Sequence, residues 1–402
     1  MSRTKNNLFL ATFINYLAIY ITMPVLVPIS KIAYLSPSQT GLMVSVGSLS
    51  MMLGGPLWGK LSDTLGRKKI MITGMLGVGI TYVLYIALFG YSMIQGQFVM
   101  TAFVFLILGR IVLGIFLPAM PSAGNALMAD ITDQASRAKG MALLGFATGL
   151  AMVLGPVIGG LLSGLGSLFI PFYMTIAISV LTGLYLIKAL PRTEPVGVAG
   201  HEKIRGSKVF SFQLISWLLL GCSTMLVMVM VQLVMPLLLH DVFGYSNVSS
   251  AGQASILFFV MGTALIVTQI LQMKVLNWQP TRLIIVGTIF MIAALLIMAF
   301  THSYLLFAAS FIFVGASLAF GLTAMSAGCS LCVSKEHQGI VSGIVAMTQG
   351  ISGIVAPILG TVLYEINYVL PFYVFLAIII AAFITFIISR AADKAEEPAF
   401  TQ

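Results

Sequence analysis

Apolar residues in this chain come in long, nearly unbroken runs rather than at the spacing of a half-buried helix or strand. Runs of spanning length fall near 8–29, 41–58, 70–90, 98–129, 140–162 and 168–190, and again near 212–239, 254–273, 283–300, 304–333, 339–363 and 370–389. A hydrocarbon core takes about 20 apolar residues in a helix, and a helix satisfies its backbone polar groups without water. Each run therefore predicts a transmembrane α-helix. The longest runs predict tilt or ends that project into water. The run at 8–29 is long enough to span and carries no small-residue cleavage site, so it reads as the first span rather than a cleaved leader.

Composition agrees. Hydrophobic residues make up 59% of the 402 and charged residues 8%, against about 25% charged in ordinary soluble chains, and the mean hydropathy is +1.07. The net charge of +9 would suit a nucleic-acid partner, but its distribution points elsewhere. With the N-terminus in the cytoplasm, every Lys and Arg except Lys31 (outside) and Arg110 (within a span) lies on the cytoplasmic side. The positive-inside rule thus places both termini in the cytoplasm and makes the basic excess a topology signal. The three cysteines, Cys222, Cys329 and Cys332, lie in apolar stretches. The CxxC pair has no further Cys or His ligand nearby, so packing is expected rather than a metal site.

The hydrophilic stretch at 191–211 divides the spans six and six, predicting bundles at 1–190 and 212–402 with a cytoplasmic linker between. Short echoes link the halves: Ser122-Ala123-Gly124 with Ser326-Ala327-Gly328, and Gly155-Pro156 with Ala356-Pro357. The predicted fold is an all-α integral membrane protein of twelve helices, in two pseudo-symmetric six-helix bundles around a central cavity, a repeat design used by secondary transporters.

The loop after the second span reads Gly59-Lys60-Leu61-Ser62-Asp63-Thr64-Leu65-Gly66-Arg67-Lys68-Lys69. This resembles the G-x-L-x-D-x-x-G-R-[RK]-[RK] signature of the major facilitator superfamily. The glycines are expected to permit a tight turn and the basic residues to anchor it. The resemblance implies that Asp63 and Arg67, with Gly59, Gly66 and Lys68, form a cytoplasmic latch facing the start of the eleventh span. The corresponding second-half loop, Lys274 to Arg282, lacks the aspartate and glycines, so a one-sided latch is expected. Arg110, with Gly114 four residues on, resembles a second signature of the family. A charge inside a span is a functional hypothesis by default, and orienting helices through backbone carbonyls is the structural alternative. Asn125 to Thr132, followed by Arg137 and Lys139, is similar to the tetracycline and multidrug exporter branch. There Asp130 would share Arg67 with Asp63, or else cap a helix end. In the fifth span, Ala151 to Gly160 resembles the antiporter signature G-x-x-x-G-P-x-x-G-G through Gly155, Pro156, Gly159 and Gly160, with Ala151 replacing the first glycine. Generic close packing is the alternative.

None of the eleven acids lies at the bilayer centre, and the first span, from Asn15 to Pro24, has none. Exporters of this type often carry a carboxylate there, so Arg110 lacks an evident buried counter-ion. Either Asp63 or Asp130 takes up the coupling proton, or Arg110 attracts an anionic or zwitterionic substrate. Asn15, Tyr16, Tyr20, Asn125, Gln232, Gln269 and Gln349 are candidates to line the cavity, or else to bridge helices. The 24 methionines suit either an adaptable binding surface or ordinary packing. The expected activity is export of small molecules by proton antiport, of the twelve-span drug:proton antiporter type, by a monomer in a bacterial cytoplasmic membrane. No cofactor beyond the proton gradient, no metal, no nucleic acid and no enzymatic activity are expected. Alternatives are export of an endogenous anionic or zwitterionic metabolite, such as a carboxylate siderophore, and a membrane receptor that transports nothing.

Overall fold

The computed structural model describes residues 2–190, 211–276, 278–301, 303–333 and 338–396. Most of the expected linker, 191–210, lies outside them. The helices are α1 (Ser2–Ile32), α2 (Pro37–Leu65), α3 (Arg67–Gln95), α4 (Met100–Phe116), α5 (Ala119–Asp130), α6 (Gln134–Ser163) and α7 (Ile170–Ala189). They are followed by α8 (Phe212–Asp241), α9 (Asn247–Leu271), α10 (Pro280–Phe300), α11 (Tyr304–Leu331), α12 (Gln338–Ile366) and α13 (Leu370–Glu396). A π turn, Gln272–Leu276, extends α9. Among the described residues twelve helical segments are long and apolar enough to cross a membrane, because α4 and α5 together make one of them. Most helices outrun the apolar stretches that predicted them. The second starts at Pro37 rather than 41, where Ser36 and Gln39 form a capping box that satisfies orphan backbone groups reciprocally.

Interior prolines at Pro24, Pro28, Pro56, Pro156, Pro236 and Pro357 leave their helices continuous. The fourth span is different: it is interrupted at Leu117–Pro118. Pro118 and Pro121 both lack an N–H, so the carbonyls of Gly114 and Leu117 lose their helical donors within one turn of each other.

Contacts divide the chain into two compact units. The first gathers the chain up to α7 together with residues 232–259, and the second gathers the earlier part of α8 with residues 260 onward. Contact thus groups 232–259 with the first unit although they follow the predicted linker. In that unit α6 runs along α1, α4 along α2, and α7 along α3. Small residues make these approaches possible. A Cβ at Gly159 would collide with the Ile21 carbonyl of α1, one at Gly155 with Tyr20, and one at Gly160 with Ser255 of α9. Ala151 is fully buried against Leu17 and Ile21, so a methyl fits where the resembling signature has glycine. In the second unit α10 packs on α11 and α13. Gly315 brings α11 against the Met261 carbonyl, and Gly328 seats the Trp217 ring, which meets Phe386 edge-on at 4.8 Å. Cys222, Cys329 and Cys332 are unbridged, and the Cys332 thiol donates to the Gly328 carbonyl.

Two glycines of α6 separate close packing from mere helix composition. Gly159→Ala is expected to destabilise the protein by about 1–3 kcal/mol through overpacking. At Gly149 a Cβ would have nothing within 4 Å, so Gly149→Ala should be neutral or stabilise by up to about 1 kcal/mol. Thermal unfolding of the two purified variants measures both. Equal shifts would remove the packing account.

Candidate functional site

The α2–α3 junction is built around a buried arginine. Gly66 joins the two helices with φ +91°, a conformation cheap only for glycine. This turns Arg67 back under the end of α2, where it is 7% exposed. Its Nη1 donates to Asp63 and, at 2.6 Å, to the Ser62 hydroxyl. Its Nε donates to Asp130 at 3.2 Å. The side chains of Asp63 and Asp130 are 36% and 42% exposed, so one buried guanidinium serves two carboxylates that water can reach. Asp130 is the last residue of α5, where the helix dipole disfavours an anion, and Arg67 supplies the compensating charge. Lys68 donates to the Leu190 carbonyl at 2.6 Å and closes the end of α7. Gly59 makes no turn. It lies within α2, and nothing among the described residues comes within 4 Å of where its Cβ would be. Residues 334–337, just before the eleventh span that the resemblance implies as the cluster's partner, lie outside the described set. In the second unit, Arg282 stacks over Trp278 at 4.3 Å.

Asp133 sits just beyond this cluster and caps α6. Its carboxylate accepts from the Ser136 hydroxyl and, at 2.9 Å, from the Ser136 amide. The hydroxyl bond first, and then the amide bond, hold its pKa below the usual carboxylate value.

Arg110 lies ten residues into α4, about 15 Å along the helix from Met100. Its guanidinium carbon sits 5.2 Å from the centre of the Tyr85 ring and is within hydrogen-bonding reach of the Tyr85 hydroxyl. That hydroxyl spends its own proton on the Leu106 carbonyl at 3.0 Å, so its oxygen is left to accept. The Nε of Arg110 is buried and has no hydrogen-bond partner. Leaving such a donor unpaired costs about 1–3 kcal/mol. No described carboxylate pairs with it. Gly47 on α2 gives it room: a Cβ there would already touch its Cδ at 3.4 Å. A cavity of about 80 Å³ opens beside it, lined among others by Thr22, Ser48 and Tyr82.

The break between α4 and α5 is repaired by side chains. Asn15 Nδ2 donates to the Leu117 carbonyl at 3.4 Å, the acceptor that Pro121 leaves without a partner. Trp58 Nε1 donates to the Ile115 carbonyl at 2.5 Å. Ser122 Oγ ties α5 to the Gly55 carbonyl of α2 at 3.3 Å. Asn15 thus serves the backbone, and its Oδ1 is buried without a partner.

A larger cavity, about 400 Å³, is lined by Tyr16, Asn125, Thr12, Thr148, Pro121 and Met141, among others. The Thr148 hydroxyl donates to the Leu144 carbonyl at 3.1 Å, and the Thr12 hydroxyl has no partner among the described residues. The lining holds no charge. Tyr16 and Asn125 therefore meet in one cavity. Tyr20 instead packs against Gly155. Gln232 and Gln269 are half-buried and Gln349 is exposed, and none of the three lines either cavity. Thr12, Thr148, Thr22 and Tyr82 were not singled out from sequence. Thr12 lies one turn before Tyr16, a spacing that places both on one helix face.

The profile described as Major Facilitator Superfamily matches residues 8–287 and 250–402. Multidrug resistance protein 1 of Bacillus subtilis is 26% identical over 374 residues, covering 90% of each chain. The class C tetracycline resistance protein of Escherichia coli is 29% identical over 338 residues, covering 81% of this chain and 80% of that protein. Quinolone resistance protein NorA of Staphylococcus aureus is 20% identical over 397 residues, covering 95% of each. Among solved structures, the nucleoside transporter NupG superposes with a TM-score of 0.77 at 15% identity, covering 96% of this chain and 99% of that one.

Removing the shared guanidinium should expose its role. Arg67→Ala is expected to lower stability by about 1–3 kcal/mol, because two carboxylates lose their counter-charge but remain partly hydrated. Asp63→Asn and Asp130→Asn should each cost less, and their combination should differ from the sum of the two. Chemical denaturation of the four proteins measures this, and strict additivity would mean the two acids do not share Arg67. At Asp133 the lowered pKa means the cap is intact at neutral pH and is lost as pH falls through that lowered value. Protection of the Ser136 amide from hydrogen exchange, relative to its intrinsic rate at each pH, should fall only in that acidic range.

Proposed function

The chain belongs to the major facilitator superfamily, and from that premise we propose that it exports small molecules across a bacterial cytoplasmic membrane by alternating access, in exchange for protons. The observation that carries this reading is the Arg67 cluster. One guanidinium is shared between two water-accessible carboxylates on different helices, so neutralising either acid removes one of its two ion pairs. A proton on Asp63 leaves Arg67 to Asp130 alone and loosens the α2–α3 turn; a proton on Asp130 releases α5 instead. With the basic loops in the cytoplasm, the cluster and both termini lie on the side from which an exporter takes its cargo. The names of the relatives, which refer to multidrug, tetracycline and quinolone resistance, support export rather than uptake. The uncharged 400 Å³ cavity, with its hydroxyl, amide and methionine lining, suits cargo held by apolar contact and a few hydrogen bonds.

Inside-out vesicles test the reading. Addition of ethidium or tetracycline to energised vesicles should accumulate the compound and release protons, and both effects should disappear when nigericin collapses the pH gradient. The Asp63→Asn/Asp130→Asn protein should transport at least about tenfold more slowly, as expected when a positioned proton-transfer group is lost. Accumulation that survives complete loss of the proton gradient would overturn antiport. Absence of transport for every compound in an efflux screen would overturn export.

A further inference from the structure

Arg110 lies well inside the fourth span, and no ion pair among the described residues neutralises it. Three features of its surroundings define what could. Its Nε–H is buried and unpaired, while the Tyr85 ring covers a face of the guanidinium, with the ring centre 5.2 Å from its carbon. The side chain therefore offers a side-on fork, Nε with a neighbouring terminal nitrogen, the geometry that receives two oxygens of one planar anion. Two of the neighbouring hydroxyls are committed: Thr22 donates to the Ile19 carbonyl at 3.0 Å, and Tyr82 meets Thr22 at 3.2 Å. Thr22 and Tyr82, 5% and 3% exposed, are thus fixed wall groups rather than competing cations or acids. Met23, Met51 and Leu113 supply apolar walls, and low local polarisability strengthens any charge pair formed there.

The cavity of about 80 Å³ has room for roughly two to three waters at about 30 Å³ each. A carboxylate head fits, and the body of a drug-sized molecule does not. Charge narrows the choice further, because one guanidinium balances a monoanion but leaves a phosphate dianion under-neutralised.

We infer that the Arg110 cavity is a subsite for a carboxylate carried by the transported molecule. This rests on the export reading above and deepens it: the cargo supplies the counter-charge that the first span lacks. Anionic or zwitterionic carboxylic acids are then favoured cargo, with the rest of the molecule held outside this subsite.

Equilibrium binding to the purified full-length protein, with no gradient imposed, tests the assignment with norfloxacin, its methyl ester and ethidium. The wild-type protein should bind the acid at least about tenfold more tightly than the ester, as for a charge-assisted bond in a desolvated site. Arg110→Gln should abolish that preference and leave ethidium affinity unchanged, and Arg110→Lys, which keeps the charge but not the fork, should retain part of it. Equal affinity of acid and ester for the wild-type protein overturns the subsite, and this comparison needs no variant to fold. Loss of ethidium binding in Arg110→Gln in step with the acid also overturns it, because it marks a structural role. Acid-selective binding without transport in vesicles would leave the subsite standing and remove export.

Discussion

A backbone amide inside a bilayer has no water to turn to, so each carbonyl freed by a proline must find a donor within the protein. Most of this fold meets that constraint with helices that stay continuous through their prolines. The exception is the fourth span, where Pro118 and Pro121 fall within one turn and the helix parts into α4 and α5. Asn15, reaching from α1, supplies the donor that the Leu117 carbonyl lost, and Trp58 of α2 donates to the nearby Ile115 carbonyl. The break is therefore a point where three helices are tied to one another by polar bonds. It lies between the two charged features of the unit, with Arg110 on one side and Asp130 on the other.

Two arginines of the first unit, Arg67 and Arg110, meet opposite conditions. Arg67 is 7% exposed yet fully engaged, because the left-handed turn at Gly66 brings Ser62 and Asp63 beneath it and α5 delivers Asp130. Arg110 has an aromatic face and a hydroxyl on one side and an unpaired donor in a cavity on the other. The first arrangement is a junction in which one guanidinium ties together α2, α3 and α5. The second is an incomplete ion pair, stable enough to persist because Tyr85 covers one face, and open to an anion that completes it.

Glycine does the rest of the positioning. With no hydrophobic force to drive one helix onto another in lipid, close backbone approach supplies the packing energy. Gly155 and Gly159 bring α6 onto α1 at Tyr20 and Ile21, which fixes the face of α1 that presents Thr12 and Tyr16 to the larger cavity. Gly47 and Gly114 do the same for α2 and α4 and leave the space in which Arg110 lies.

Hydropathy alone determined twelve spans and their order, because these depend on solvent and on chain-length averages rather than on partners. The loop signature likewise announced Asp63 and Arg67, which are neighbours in sequence. The interruption of the fourth span escaped that reading, since hydropathy averages across two prolines as readily as across two leucines. So did the division of labour on the first span, where Asn15 serves a carbonyl, Tyr20 seats a glycine, and Thr12 with Tyr16 faces a cavity. Those roles depend on which helix lies opposite each face, and a run that is apolar all round does not encode its neighbours. Tertiary structure also decided the state of Arg110. The sequence showed that the first span lacks an acid, but only the packing of α2, α3 and α4 leaves the guanidinium half-satisfied beside an open cavity.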